Sequence, residues 1–358
     1  MPALFDIRSE GGGYTIMCER DALMTTLPQM GDGLVIADDY FAGQFHARDI
    51  QAIGLPASET TKSLDAIGDV IVQMRKAGAT RDTRLWAVGG GAIQDVACFV
   101  ASVYMRGIPW TYVPTTLLGM VDSCIGGKSS INVGAYKNIL GSFHPPDIVW
   151  IDPELTATLS AEQLVAGLVE AAKICFCRGA SVFETYLSHA PDPGLTPVGL
   201  EPIIALSLGA KKWFVEIDEF DRAERQLLNL GHTFGHALEG ASDYRLSHGI
   251  AVGVGVLCAL NLSRDLLGAP PGGAASRLGQ HMRGLLGAVP GLALILRAIE
   301  VPVTLDRVKA DKKHQPTHYR FVTFNAEGKT QLTSLPKTAA TDAAISAALS
   351  NTLELFLE

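Results

Sequence analysis

The chain has 358 residues, of which 47% are hydrophobic and 18% charged, and its formal net charge is −8. That length and apolar share can bury a sizeable core and divide into two domains. The acidic balance and the lack of any long Lys/Arg run argue against nucleic acid as the main partner, because phosphate backbones need a basic stripe.

The first eight residues, Met-Pro-Ala-Leu-Phe-Asp-Ile-Arg, hold no basic stretch followed by an apolar one, so no leader is expected. The strand signal begins at residues 33–38, Gly-Leu-Val-Ile-Ala-Asp, a short apolar run ending in Asp38 as a buried parallel strand would. After a turn-like Leu55-Pro56-Ala57-Ser58, residues 60–76 carry Leu64, Ile67, Val70, Ile71 and Met74 at helical spacing. Leu85-Trp86-Ala87-Val88 then leads into Gly89-Gly90-Gly91-Ala92-Ile93-Gln94-Asp95 and an apolar helix through Val103. Strand alternating with helix predicts a parallel sheet. A glycine turn between the two lets backbone N–H groups approach a phosphate at the helix N-terminus, with Asp38 ending the earlier strand near a ribose position. A tight structural turn explains the same glycines equally well.

Trp110-Thr111-Tyr112-Val113-Pro114 reads as another strand, followed by Thr115 and Thr116. Residues 120–140 then set Asp122, Gly126-Gly127-Lys128 and Tyr136-Lys137-Asn138 amid apolar sequence, which suggests a site loop rather than two solvated lysines. From about Ala161 the pattern becomes mainly helical. Residues 163–176 are apolar at Leu164, Val165, Leu168, Val169, Ala172 and Ile174, and Glu170 and Lys173 share a face three apart, ordinarily an exposed ion pair. Residues 191–198 are turn-rich, and 203–216 are helical with Lys211 and Lys212 near the end. The expected division is therefore residues 1–160, an α/β nucleotide-binding domain with a Rossmann-like parallel sheet, and residues 161–358, a mainly α-helical metal- and substrate-binding domain.

In the second part, Asn229-Leu230-Gly231-His232-Thr233-Phe234-Gly235-His236 puts His232 and His236 on one helical face, a turn apart. His248 follows a polar turn. Two imidazoles from separate segments plus a carboxylate would give Zn²⁺ three ligands and an open position. Two buried histidines that satisfy each other or the backbone fit the spacing as well. The longest apolar run, residues 249–260, is too short and too glycine-rich to span a bilayer, which makes the cytoplasm the expected compartment with no membrane partner. Pro270-Pro271-Gly272-Gly273 is a loop between helices, residues 321–332 a hairpin and residues 341–357 a closing helix. Six cysteines without a Cys-x-x-Cys pair read as core residues or thiols of a reducing compartment.

Taken together these strings resemble the sugar phosphate cyclase family, most closely its 3-dehydroquinate synthase branch. The strings that carry the resemblance are Gly89 through Asp95, Tyr104-Met105-Arg106-Gly107, Val113-Pro114-Thr115-Thr116, Val121-Asp122 through Lys128-Ser129, Lys137-Asn138, Gly167 through Lys173, Leu228 through His236 and Ser247-His248-Gly249. The resemblance implies an NAD- and zinc-dependent cyclisation of a sugar phosphate with loss of inorganic phosphate, with Co²⁺ as a substitute metal. Its implied metal ligands are Glu170, His232 and His248. Its NAD positions fall on Asp38, Glu59, Lys62, Gly90, Gly91, Asp95, Thr115, Thr116, Asp122 and Lys137. Substrate and catalytic positions fall on Lys128, Lys137, Asn138, Lys173, Lys211, Arg225, Asn229 and His236, with one of Lys312 and Lys313. Arg106 matches an arginine that reaches the phosphate across a homodimer interface.

Gln94 stands where the resemblance implies glycine, Asp221 and Ile250 where it implies glutamate, and Tyr136 where it implies glycine, so a divergent branch is expected. Gln94 is expected to narrow the nucleotide pocket. Burying Lys211 and Arg225 without an anion would be costly, which favours 3-deoxy-arabino-heptulosonate 7-phosphate over sugar phosphates lacking a carboxylate. The amino-dehydroquinate, 2-epi-5-epi-valiolone and 2-deoxy-scyllo-inosose synthase types are the other cyclase readings. A metal-dependent polyol dehydrogenase would need no lysine cluster, and an inert binding module would need no ligand set.

Overall fold

The computed structural model describes residues 4–10, 12–134, 136–268 and 270–357. The first three residues of the segment read for a leader lie outside them. The chain forms two compact units: residues 1–159 with 196–220, and residues 160–195 with 221–358.

The first unit contains β1 (Phe5–Ile7), β2 (Tyr14–Cys18), α1 (Ala22–Met30), β3 (Leu34–Asp38), α2 (Asp39–His46), β4 (Ala52–Leu55), α3 (Leu64–Lys76), β5 (Leu85–Gly89), α4 (Gly91–Val103), β6 (Trp110–Pro114), β7 (Ile131–Val133), β8 (Tyr136–Leu140) and β9 (Ile148–Ile151). Seven strands pair in the order β1-β2-β9-β6-β5-β3-β4, and only the β1 edge runs antiparallel. Strands β5 and β6 are buried at every position, as strands covered on both faces must be. On one face Val35, Ala37, Trp86, Val88 and Val113 pack against Leu23 and Met30 of α1 and Phe41 and Phe45 of α2. Helices α3 and α4 pack on each other and on the strands as well.

The chain steps outward from β3 to β4, then returns to lay β5 on the other side of β3. This reversal makes the carboxyl ends of β3 and β5 the switch point, where open α/β sheets bind ligands. Asp38 and the glycine turn stand there. Strand β4, which shares only Leu55 with the turn-like segment read from sequence, is four residues ending against Pro56, too brief to show a period. Residues 119–123 form a π-helical turn, and β7 and β8 pair as antiparallel strands.

The second unit opens with α5 (Ala161–Arg178) and α6 (Ala180–Ser188). Helix α7 (Pro197–Ile217) clusters with the first unit rather than with the helices that flank it in sequence. Then follow α8 (His232–Ala241), α9 (His248–Leu267), α10 (Gly273–Gly287), α11 (Leu292–Arg297), α12 (Val301–Lys309), the antiparallel hairpin β10 (His318–Phe324) and β11 (Thr330–Pro336), and α13 (Ala339–Glu354). Helix α9 is the axis of this unit, with α5, α8, α10, α13 and β10 packed on it. The apolar run read as too short for a membrane is part of this longer helix, which has the length and hydropathy of a span, with 67% of its apolar window buried inside the fold. An all-round apolar helix of this kind is a core helix.

Candidate functional site

The second unit gathers three histidines by close helix packing. Gly231 caps α8 in the left-handed region at φ 80°, and a Cβ on Gly255 of α9 would sit 2.1 Å from the Gly231 carbonyl oxygen. Side-chain-free backbone thus brings α8 and α9 together, with His232 and His236 on one and His248 on the other. The rings of His232, His236 and His248 lie 5.3 to 5.8 Å apart, centroid to centroid.

Glu170 projects from the middle of α5, where residues 164–177 are all buried. Its exposure is 0% and that of Lys173 2%. The exposed ion pair expected at this spacing is therefore a fully buried one, because α5 is covered on every side. Glu170 Oε2 is ion-paired with the Lys173 ammonium, while Oε1 has no hydrogen-bond partner among the described residues. Ligand atoms of Glu170, His232 and His248 fall within 4.8 Å of one another. A second set, His236, Glu239 and His248, meets the same limit.

The imidazoles are oriented from behind. His232 Nδ1 is 3.4 Å from the Leu230 carbonyl, which can only accept, so Nδ1 carries the proton and Nε2 the lone pair. His248 Nδ1 faces Glu239 Oε1 at 3.4 Å, again leaving Nε2 outward. Burial pushes His232 well below the ordinary imidazole value and His236 down to about 4. For His248 burial pulls downward, but the hydrogen bond and charge of Glu239 outweigh it and raise the pKa. Two imidazoles and a buried carboxylate whose Oε1 no donor occupies suit a Zn²⁺-type cation. Glu239 was missed from sequence, although its place three residues after His236 on the same helix was a usable signal.

Beside this cluster, Lys313 Nζ donates to Asn229 Oδ1 at 2.7 Å, and both line a cavity of about 240 Å³ with Asp221, Thr233 and Arg320. Lys312 is exposed, so Lys313 is the lysine turned inward. Burial lowers its pKa. Arg225 is also buried in this unit, at 4% exposure.

The first unit brings together a second group. Gly90 caps α4 against Thr116, whose methyl an added Cβ would meet at 3.0 Å, and the Thr115 amide donates to the Gly89 carbonyl at 3.0 Å. Lys62 Nζ lies 2.7 Å from Asp95 and 3.8 Å from Glu59. Lys137 Nζ lies 3.5 Å from Glu59, and Asn138 Oδ1 accepts from Lys62 at 3.5 Å. Burial raises the Asp95 carboxyl despite Lys62. Asn132, missed from sequence, donates to Glu59 Oε1 at 2.9 Å and accepts the Asn138 amide at 2.9 Å. Asp38 caps α2 through the Tyr40 amide at 3.0 Å.

Lys211 Nζ meets Asp122 Oδ1 at 2.7 Å and the Asp122 carbonyl at 2.5 Å. Its burial is thus compensated inside the protein and does not by itself call for a substrate carboxylate, as the sequence argument had it. Arg106 is exposed and sits in the left-handed region at φ 72°, after Met105 at φ 50°.

Two family models cover most of the chain: 3-dehydroquinate synthase N-terminal over residues 25–166 and 3-dehydroquinate synthase C-terminal over residues 167–314. A 3-dehydroquinate synthase of Xylella fastidiosa (strain M23) is 41% identical over 283 residues, 76% of this chain and 75% of that one. The fold is shared with 2-epi-5-epi-valiolone synthase from Streptomyces hygroscopicus subsp. jinggangensis, solved with NAD⁺ and Zn²⁺ bound, at TM-score 0.80 and 22% identity over 97% of this chain and 99% of that one. A 2-deoxy-scyllo-inosose synthase complexed with carbaglucose-6-phosphate, NAD⁺ and Co²⁺ matches at TM-score 0.79 and 22% identity, with the same coverage.

Proposed function

This chain belongs to the 3-dehydroquinate synthase family, and from that premise we propose that it cyclises 3-deoxy-arabino-heptulosonate 7-phosphate to 3-dehydroquinate with elimination of inorganic phosphate. The observation that carries the reading is the convergence of Glu170, His232 and His248 within 4.8 Å. The proposed cofactors are NAD and Zn²⁺, with Co²⁺ as a substitute.

Glu170, His232 and His248 would hold the cation, and the Gly90-Gly91 turn with Asp38, Glu59, Lys62, Asp95, Thr115, Thr116, Asp122 and Lys137 the nucleotide. When bound, NAD supplies a hydride acceptor that later returns the hydride, and the divalent cation acidifies the substrate hydroxyl beside it. The chain's own part is to hold charge and position. Lys128, Lys137, Asn138, Lys173, Asn229, His236 and Lys313 offer donors to phosphate and hydroxyl oxygens, and Arg225, with Lys211 once it exchanges its Asp122 partner, to the carboxylate. His236, whose pKa is lowered to about 4, serves as a hydrogen-bonding group rather than a charge. Keeping the leaving phosphate close to the ring lets it take up the proton released in its own elimination.

We infer further that the protein works as a homodimer in which Arg106 serves the partner subunit's phosphate site. The two successive positive φ values at Met105 and Arg106 support this, since such strain costs about 1–3 kcal/mol per residue and collects at functional positions.

The test is incubation of the NAD- and zinc-loaded protein with the heptulosonate, sedoheptulose 7-phosphate and glucose 6-phosphate in turn, reading phosphate, NADH and the mass of the carbocycle. Phosphate release from the heptulosonate without net NADH is expected. Turnover of sedoheptulose 7-phosphate instead would move the substrate, and accumulating NADH would mark a polyol dehydrogenase.

A further inference from the structure

We propose that Gln94 is a positioning residue for Lys128, acting through the peptide backbone; this rests on the reading of Lys128 as a substrate contact. Gln94 lies in the second turn of α4 and is 3% exposed. Its side-chain amide donates to the Lys128 carbonyl at 2.9 Å. Neighbouring positions on the helix meet the same loop: Asp95 Oδ1 accepts the Ser130 amide at 3.0 Å, and the Cys98 sulfur lies 3.3 Å from the His144 carbonyl and 3.6 Å from that of Gly127.

The loop is held from its other side as well. The Ser129 amide donates to the Ser142 carbonyl at 3.0 Å and the His144 amide to the Gly127 carbonyl at 2.8 Å. Gly127 has φ +60°, and a Cβ there would meet the Pro145 nitrogen at 2.8 Å. The segment 127–130 is thus clamped between α4 and residues 142–145, and the contact to Lys128's own peptide from α4 is Gln94. With that peptide fixed, the Lys128 side chain leaves from a set Cα, and its ammonium rests 5.8 Å from the centroid of the Phe143 ring.

The Gln94 amide is therefore directed at Lys128 and not at the glycine turn. Without it the loop keeps its fold but Lys128 samples more positions, which costs substrate binding and not nucleotide binding. The two effects separate kinetically.

The experiment compares Gln94→Met, of similar size but without a donor, and Gln94→Glu, of equal length, with Lys128→Met in the holoenzyme. Steady-state constants for the sugar phosphate, NAD affinity and amide hydrogen exchange of residues 127–130 are measured. Both Gln94 variants are expected to raise KM by about tenfold, the scale of one lost buried hydrogen bond, with kcat and NAD affinity within about twofold. Exchange over residues 127–130 should quicken, and Lys128→Met should raise KM at least as far. A changed NAD affinity with unchanged KM would overturn the proposal in favour of a nucleotide-side role. If Lys128→Met raises KM and neither Gln94 variant does, the positioning role fails while the reading of Lys128 stands. If Lys128→Met leaves KM unchanged, that reading fails and the proposal with it.

Discussion

Gly249 at the start of α9 lies directly against Ala166 of α5: a Cβ on the glycine would meet the Ala166 Cα, Cβ and carbonyl oxygen at 2.6 Å. This contact sets His248 next to Glu170. Gly249→Ala is expected to push the two helices apart, at about 1–3 kcal/mol of stability, the usual cost of overpacking a tight contact. Urea unfolding and zinc content together would check it. An unchanged midpoint with full zinc would show that the helices have slack to give.

The buried Glu170 and Lys173 pair makes a second prediction. Removing one partner of such a pair leaves a charge without compensation, typically at about 3–5 kcal/mol. Lys173→Met should therefore destabilise the metal-free protein on that scale, and added Zn²⁺ should recover more stability in the variant than in the wild type, because a bound cation would stand in for the ammonium. Equal unfolding midpoints for the two metal-free proteins would contradict the argument.

How much of this was legible in the sequence depends on where each contact partner lies. The β3, β5 and β6 runs announced a parallel sheet because they are apolar at nearly every position, whereas β9 at four residues and β4 beside Pro56 gave no period to read. Glu170 and Lys173 looked like a surface pair because i, i+3 spacing describes only the helix they share. Their burial is set by α9, α6 and α10 packing around α5. The histidine spacing left metal and core readings equally open, and the carboxylate that favours the metal lies 62 residues before His232. Gln94 reaches a carbonyl 34 residues away, and Lys211 finds its anion at Asp122, 89 residues away; no local pattern carries either fact.

The metal assignment has one geometric competitor, since His236, Glu239 and His248 also converge. His248→Ala removes a donor from both and is expected to lose most metal and turnover while staying folded. The carboxylates discriminate. Glu170→Gln should abolish stoichiometric zinc, while Glu239→Gln, which only orients His248 from behind, should weaken binding by about 10–100-fold. Elemental analysis giving the reverse order would assign the ion to the second set.

His281 predicts a pH dependence away from the candidate site. Its Nε2 is 3.0 Å from the Tyr186 hydroxyl, which itself donates to the Leu168 carbonyl at 3.1 Å, so the neutral ring is the donor in that contact. Burial lowers its pKa from 6.5 to about 4. A folded-state value below the unfolded one means that protons bind the unfolded chain more readily. The contribution is full above about pH 6.5 and is lost as pH falls toward about 4, with a slope of up to about 1.4 kcal/mol per pH unit from one proton. The difference in stability between wild type and His281→Gln should therefore change between those limits and stay flat above them. A difference that is flat throughout would show that His281 titrates normally.

Arg106 offers the sharpest test of a shared site. Suppose Arg106→Ala and His248→Ala are each inactive as homodimers and are mixed, unfolded and refolded together. In a hybrid dimer one metal site would then be intact and would receive Arg106 from the partner subunit, while the other would carry both lesions. Half of the dimers in an equal mixture are hybrids with one good site each, so about one quarter of wild-type activity is expected from the two-fold geometry. If Arg106 instead served its own subunit's site, every site in the hybrid would carry one lesion and no activity would return. The exposed, left-handed backbone at Met105 and Arg106 favours the first outcome, because a side chain aimed outward at a backbone cost is retained where something outside the subunit uses it.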